Sequence, residues 1–514
     1  MSEIELKFMV HKDRGRPVWN RAIELGFAGA EPPVRQLESI YYDTPDKRLR
    51  KAGISLRIRR DGERWLQTVK YKRRLNAGLS RAEEFEVEVP GKAIEILAIP
   101  DAKARKKVQS KIGDDPIEPV CWTMINRRAD HITLDDGSVA ELALDTGLIS
   151  AGDHSVDFCE VEIELVEGTL RALYSLAGKL FPEGGLRFSR LSKAERGYML
   201  AEDGVIDPEP VPRKAKSVSL DPDETVREAM RATLRECTEQ ISLNIPVVEH
   251  TIDPEGPHQL RIGLRRLRSL FMVFGSATDE SRLRLLEADA RWLFSAAGEL
   301  RDIEAVIADV IRPLADANPD ETGFEALISA LERQAASRRA KLRALLADVR
   351  TQGFLLDLSL LSETLGDNAE EEAEDLDQPL SGFAEKALSK RWHKARKKAG
   401  DDVENLEIEA RHELRKELKK LRYLAEFFGP LYKKKDVGQF HKRLKKIQTV
   451  LGDVMDAKVA RQLFEDAGLI EETDPGLQRA MGWVIGSGKV RARLEWEHAA
   501  DLWKDLEKTG PFWK

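Results

Sequence analysis

Cysteine is almost absent from this 514-residue chain: Cys121, Cys159 and Cys237 stand far apart, with no CxxC pair. That spacing argues against a zinc ribbon and against a disulfide framework. Aromatic residues make up only 6% of the sequence. No apolar run reaches the length of a membrane span, and no leader-like segment is evident at the N-terminus. A reducing, cytoplasmic compartment and no membrane partner are therefore expected. Positive charge is not in excess either, since the formal net charge is −7. Bulk charge will not hold a polyanion, so any affinity for phosphates has to come from local clusters of bases.

What the chain does contain falls into two halves. Residues 1–202 hold short alternating runs such as IELKFMV, SLRIRR, EEFEVEVP and DFCEVEIEL, separated by turn residues such as Asp135-Asp136-Gly137. Helical patterns intrude at 13–26 and 169–181. Residues 203–219 are rich in proline and charge and read as a linker. From 220 to 514 apolar residues recur at helical spacing. The acidic run 367–377 divides that part into repeats of about 220–366 and 378–514.

The strands carry an unusual density of charge on one face. Glu3, Glu5 and Lys7 alternate with Ile4, Leu6 and Phe8, and Arg57 and Arg59 alternate with Leu56 and Ile58. Lys70 and Lys72 share a face, as do Glu84, Glu86 and Glu88, and again Glu160, Glu162 and Glu164. A solvated sheet face would mix in Ser, Thr and Gln. Here acids and bases sit in separate clusters. A closed antiparallel barrel of about eight strands with its charged face inward accounts for the set. Its interior would be a polar tunnel, with bases suited to a phosphate chain and carboxylates suited to a hard divalent cation.

The helical part repeats itself. The stretch 258-HQLRIGLRRLRSLFMVFG-275 returns as 412-HELRKELKKLRYLAEFFG-429, 154 residues later. The segment 297-AGELRD-302 returns as 451-LGDVMD-456 at the same offset, with Gly298 on Gly452 and Asp302 on Asp456. On each helix one stripe is basic: His258, Arg261, Arg265 and Arg268, then His412, Arg415, Lys419 and Arg422. Two halves of a bundle related by a pseudo-two-fold would bring these stripes onto one surface. The expected fold is thus α+β in two domains, a closed barrel followed by an all-α bundle of two repeats.

Ordered motifs tie both halves to known families. The opening 3-EIELK-7 resembles the ExExK signature of CYTH domains, the triphosphate tunnel metalloenzymes. It is followed in order by 41-YYDTPDKRLRKAGISLRIRR-60, 65-WLQTVK-70, 141-ELALDTG-147, 160-EVEIEL-165 and 192-SKAERGY-198. The helical part resembles CHAD, the conserved-histidine α-helical domain, through both HxLR helices and both Gly…Asp segments.

The resemblance implies Mg²⁺ or Mn²⁺ held by Glu3 and Glu5 together with Glu160 and Glu162. Because Glu160, Glu162 and Glu164 share a face, which pair acts stays open. It implies phosphate-binding or catalytic roles for Lys7, Arg57, Arg59, Lys70 and Lys193. Arg127 or Arg128 fills a further basic position, and Asp145 orients a base or the metal. It also implies inorganic triphosphate as substrate and inorganic polyphosphate as ligand of the two basic helices. Thiamine triphosphate and ATP cyclisation are the alternatives on the same tunnel, with Trp65, Tyr71 and Trp122 as candidate ring platforms. A non-catalytic polyphosphate-binding protein is the alternative from another class. Nucleic acid is the weaker polyanion, because no aromatic stacking pattern accompanies the bases.

Overall fold

The computed structural model describes residues 2–10, 12–184, 187–274, 280–365 and 376–514, without the side chains of residues 452–458 and of several residues near 2, 12–16 and 280–282. Most of the acidic run 367–377, and Gly275, lie outside the described residues. The chain divides into two compact units, one of residues 1–209 with 347–361, the other of residues 210–346 with 362–514.

The first unit is a closed barrel. Its strands are β1 (Ser2–Met9), β2 (Arg35–Asp43), β3 (Ser55–Asp61), β4 (Arg64–Asn76), β5 (Leu79–Val89), β6 (Glu118–Thr133), β7 (Val139–Ala151) and β8 (His154–Glu167). They run in the order β5-β4-β3-β2-β6-β7-β8-β1, and a further β1–β5 pairing closes the ring. Every pairing is antiparallel. A two-residue strand, β9 (Arg187–Phe188), pairs with β1 outside the ring.

Alternation along each strand sends charge to the lumen and apolar side chains outward, the reverse of a sheet bathed in water. The outward Leu6, Phe8, Leu142, Leu144, Val161 and Ile163 then need cover. The helices Lys12–Glu24 and Leu170–Leu180 supply it with Trp19, Leu173, Leu176 and Leu180. So does the helix Val349–Thr364, whose Leu356 and Leu360 join the same core. Its Gln352 Nε2 donates to the Phe181 carbonyl at 2.7 Å, and Ser359 Oγ lies 2.7 Å from Tyr174 Oη. The helix Ala102–Ile112 packs on the β3–β4 side through Ala104, Val108 and Ile112. The helix Lys193–Asp203, started by a capping box at Ser192, packs Ala194, Tyr198 and Leu200 against β6 and β7.

The second unit is helical among its described residues. Helix starts recur at the offset seen in the sequence: Val226–His250 is matched by Leu380–Ala399, and Glu280–Ala305 by Lys434–Asp466. Equivalent residues also meet one another. Thr225 bridges to Pro379, and the rings of Phe274 and Phe428 lie 6.1 Å apart. No described helix is long and apolar enough to cross a membrane.

Candidate active site

Register builds the tunnel. Pairing of β1 with β8 sets Lys7 opposite Glu162 and Glu5 opposite Glu164. Pairing of β7 with its neighbours sets Asp145 between Arg127 and Glu160. On the far wall, β3 places Arg57 beside Tyr41 and Arg59 beside Ser39. Of these, Glu5, Lys7, Tyr41, Arg57, Arg59, Arg127, Glu162 and Glu164 line a single cavity with Glu3, Lys70, Glu84, Glu86, Lys193 and Tyr198.

The network at one end of that cavity is dense. Lys193 Nζ donates to Glu160 at 2.8 Å and to Glu162 at 2.7 Å, and lies 2.9 Å from Asp145. Lys7 Nζ donates to Glu162 at 2.7 Å and lies 3.0 Å from Glu5. Arg127 grips Asp145 with two bonds of 2.7 Å and reaches Glu162 at 2.6 Å. Burial alone would raise the pKa of Glu162, but Lys193, Lys7 and Arg127 outweigh it and hold the carboxyl well below its usual range. The same balance leaves Lys7 well above the ordinary lysine value, because Glu162 and Glu5 outweigh its burial.

Arg59 differs. Burial, then the neighbouring Arg57 and Arg127, push the Arg59 guanidinium down to about 10. Its one described bond is from Nε to Ser39 Oγ at 3.3 Å, and no described carboxylate pairs with it. A buried cation crowded by other cations is stabilised by any anion that enters.

The acids split in a way that sequence spacing could not show. Glu160 is fully buried, accepting from Lys193, from Arg196 at 2.7 Å and from Ser189 at 3.0 Å, and it does not line the cavity. Glu164 does line it. Burial, then Glu3 and Glu5, push the Glu164 carboxyl up to about 8. Glu5 is likewise raised, chiefly by burial and against the pull of Lys7 and Lys70. Glu3, Glu5 and Glu164 are hard oxygen donors close enough to repel one another, a donor set that fits a divalent cation. Glu3 is meanwhile bonded to Lys70 at 2.7 and 2.8 Å. No group of three or more potential ligands among the described residues is drawn together as a formed metal cluster.

Strand alternation separates the two arginines that the sequence leaves open. Arg127 points into the tunnel, while Arg128 pairs with Glu31 at 2.9 Å away from the cavity lining. The candidate ring platforms also lie elsewhere. Tyr71 is in the outer core under Ala102–Ile112, Trp122 is 40% exposed, and Trp65 lies beneath Arg60 and Lys92. The aromatic side chains of the described lining are Tyr41 and Tyr198, and Tyr198 Oη donates to Asp43 at 2.7 Å. Arg196, Ser189 and Asp43 were not foreseen. Their signal was weak, since each acts from behind another side chain.

In the helical unit, helices Glu255–Phe274 and Ile408–Phe428 pack together, and their bases share one field. Burial, then Arg415, Arg265, Arg261 and Arg422, push Lys419 down to about 8. Arg265 and Arg422 flank the Tyr423 ring at 4.9 and 5.3 Å, and Arg261 and Arg268 flank Phe294 at 4.9 and 5.2 Å. Arg261 is paired with Asp302 at 2.6 Å, and Arg422 bonds Gln448 at 2.8 Å. Arg265, Arg268 and Lys419 make no ion pair with any described residue. A Cβ at Gly298 would lie 3.3 Å from the Arg261 guanidinium carbon, which gives that glycine a local reason. His258 Nδ1 accepts from Arg301 at 3.2 Å, and burial with Arg301 lowers its pKa, leaving it neutral. His412 is lowered too, by burial and then Lys416. The side chain of Asp456 lies outside the described residues.

Residues 1–198 match the CYTH domain family and residues 232–465 the CHAD domain family. The chain carries a CYTH domain followed by a CHAD domain. An uncharacterized protein of Mycobacterium tuberculosis (strain H37Rv) is 26% identical over 488 residues, 90% of this chain and 87% of that one. An inorganic triphosphatase of Haemophilus influenzae is 30% identical over 201 residues, 39% of this chain and 55% of that protein. The crystal structure of the CHAD domain from the plant Ricinus communis is 28% identical, with a TM-score of 0.49, covering 58% of this chain and 96% of its own. The barrel is the CYTH domain, and the bases that make no ion pair with a described residue belong to the CHAD domain.

Proposed function

We propose that the CYTH barrel hydrolyses inorganic triphosphate to pyrophosphate and phosphate, and that the CHAD bundle binds inorganic polyphosphate. The observation that carries the first reading is the Arg57–Arg59–Arg127 wall, where Arg59 has no described carboxylate partner and none of Trp65, Tyr71 and Trp122 lines the cavity. The relative from Haemophilus influenzae adds the choice of inorganic triphosphate.

In this reading Arg57, Arg59 and Lys70 hold the phosphate chain, and Arg127 and Lys193 take up the charge on the equatorial oxygens of the terminal phosphoryl group. Asp145 and Glu160 position those two bases. Lys7 is fixed between Glu5 and Glu162, at hydrogen-bond reach of the carboxylate side of the tunnel. Water adds to the terminal phosphorus, the anhydride P–O bond breaks, and pyrophosphate leaves with the bond electrons. Glu3, Glu5 and Glu164, with Glu162 beside them, would hold Mg²⁺ or Mn²⁺, which supplies charge neutralisation and polarises the phosphate oxygens. Glu160, expected beside Glu162 as a ligand, is assigned instead to holding Lys193 and Arg196.

The CHAD reading rests on Arg265, Arg268 and Lys419, cations that make no ion pair with any described residue. A linear polyanion would neutralise them and release counterions. Such a chain would run along a pseudo-two-fold pair of helices, with His258 and His412 as neutral hydrogen-bonding partners and Arg261, Arg415 and Arg422 as further contacts. A cytoplasmic setting, where both phosphate polymers and divalent cations are at hand, belongs to the same proposal. The test is phosphate release from inorganic triphosphate, thiamine triphosphate and ATP, offered side by side with Mg²⁺ and Mn²⁺. Preference for inorganic triphosphate, lost with chelator, is expected; equal or no release from the three overturns the reading.

A further inference from the structure

The helix Pro475–Trp496 lies beyond the residues that match the CHAD family. Its inner face is accounted for, with Leu477, Ala480, Met481, Val484 and Trp496 buried. Its outer face is not. Trp483, Val490 and Leu494 are 49%, 60% and 55% exposed along one stripe, with Gly482 and Gly486 between them. A shallow groove runs over these five residues.

The glycines are the telling part. Each costs a helix interior roughly 1 kcal/mol relative to alanine. Nothing within the chain asks for them, because a Cβ at Gly482 or Gly486 would meet no atom within 4 Å. Close approach of a second helix would ask for them.

We propose that this face is a self-association surface, on which the helix packs antiparallel against its counterpart in a second copy of the chain. Facing the stripe with itself about the level of Gly488 sets Gly486 opposite Val490, so that this apolar side chain enters a glycine hollow. Arg479, which also pairs with Glu321, comes beside Glu497 of the second copy. One reversal satisfies both pairs. An isologous contact needs that self-complementarity, whereas an unrelated partner does not. The helix has 22 residues. A strip one helix wide falls short of the roughly 1,200 Å² of a standard interface, so the dimer is concentration-dependent.

Sedimentation velocity on the full chain from low to high micromolar concentration reads this directly. A monomer–dimer shift is expected for the wild type. Gly486→Leu should shift it to monomer by filling the hollow, while its thermal midpoint holds or rises with the better helix former. Val490→Lys should do the same. Leu285→Lys, at a 71% exposed apolar position on another helix, should dimerise as the wild type does. A wild type that stays monomeric throughout, or variants that dimerise like it, overturns the proposal.

Discussion

The chain holds two collections of bases, and they are built on opposite principles. In the CYTH tunnel most bases are answered by acids: Lys193 touches three carboxylates, Lys7 two, and Arg127 is clamped by Asp145. In the CHAD bundle Arg265, Arg268 and Lys419 make no ion pair with any described residue, and Lys419 falls to about 8, through burial and then the surrounding arginines. Paired bases are fixed in place before substrate arrives, which suits charge stabilisation in a reaction. Unpaired bases store repulsion that any polyanion relieves, which suits binding. Arg59 is the tunnel's exception, and its freedom marks where a phosphate should lie.

The comparison can be broken at its strongest joint first. Glu160→Gln leaves Arg196 and Lys193 short of a buried counter-charge, and should cost about 3–5 kcal/mol of stability in a thermal or urea melt. Glu164→Gln should leave the melt unchanged and instead raise the metal concentration needed for phosphate release. If the two variants exchange phenotypes, the assignment of the acids is wrong. Arg59→Met comes next, lowering kcat by about 10²–10³ in the same assay, with polyphosphate binding untouched.

The smallest effect sharpens the CHAD side. Lys419 loses its charge as pH rises through about 8 in the free protein. A bound phosphate restores that charge, so binding takes up a proton. Polyphosphate affinity should hold below that pH and fall by up to about tenfold per pH unit above it. Lys419→Arg should bind at both ends of the range and flatten the profile in a calorimetric titration.

Much of this was legible from residues alone, for a physical reason. Strand period fixes which side chains share a face, so the inward charge of Glu3, Glu5, Lys7, Arg57 and Arg59 followed from alternation, and so did the barrel. Period cannot fix depth along a face. Only the register of β1 on β8 shows that Glu164, not Glu160, sits level with Glu5. The same limit left Arg127 and Arg128 open until the pleat of β6 turned one inward. The helix Val349–Thr364 was read with the helical part, yet residues 347–361 cluster with the barrel. Its apolar residues lie all round it, so nothing in its pattern told which core it would join. The basic stripes were legible because they repeat. Their aromatic plates, Phe294 and Tyr423, were missed because each sits alone in sequence.

One pair of readings on one variant tests the central claim most directly. Glu5→Gln, assayed for inorganic triphosphate hydrolysis and for polyphosphate binding in the same preparation, should lose the first and keep the second at wild-type affinity. Loss of both together, or hydrolysis that persists, would contradict the division of labour between the paired and the unpaired bases.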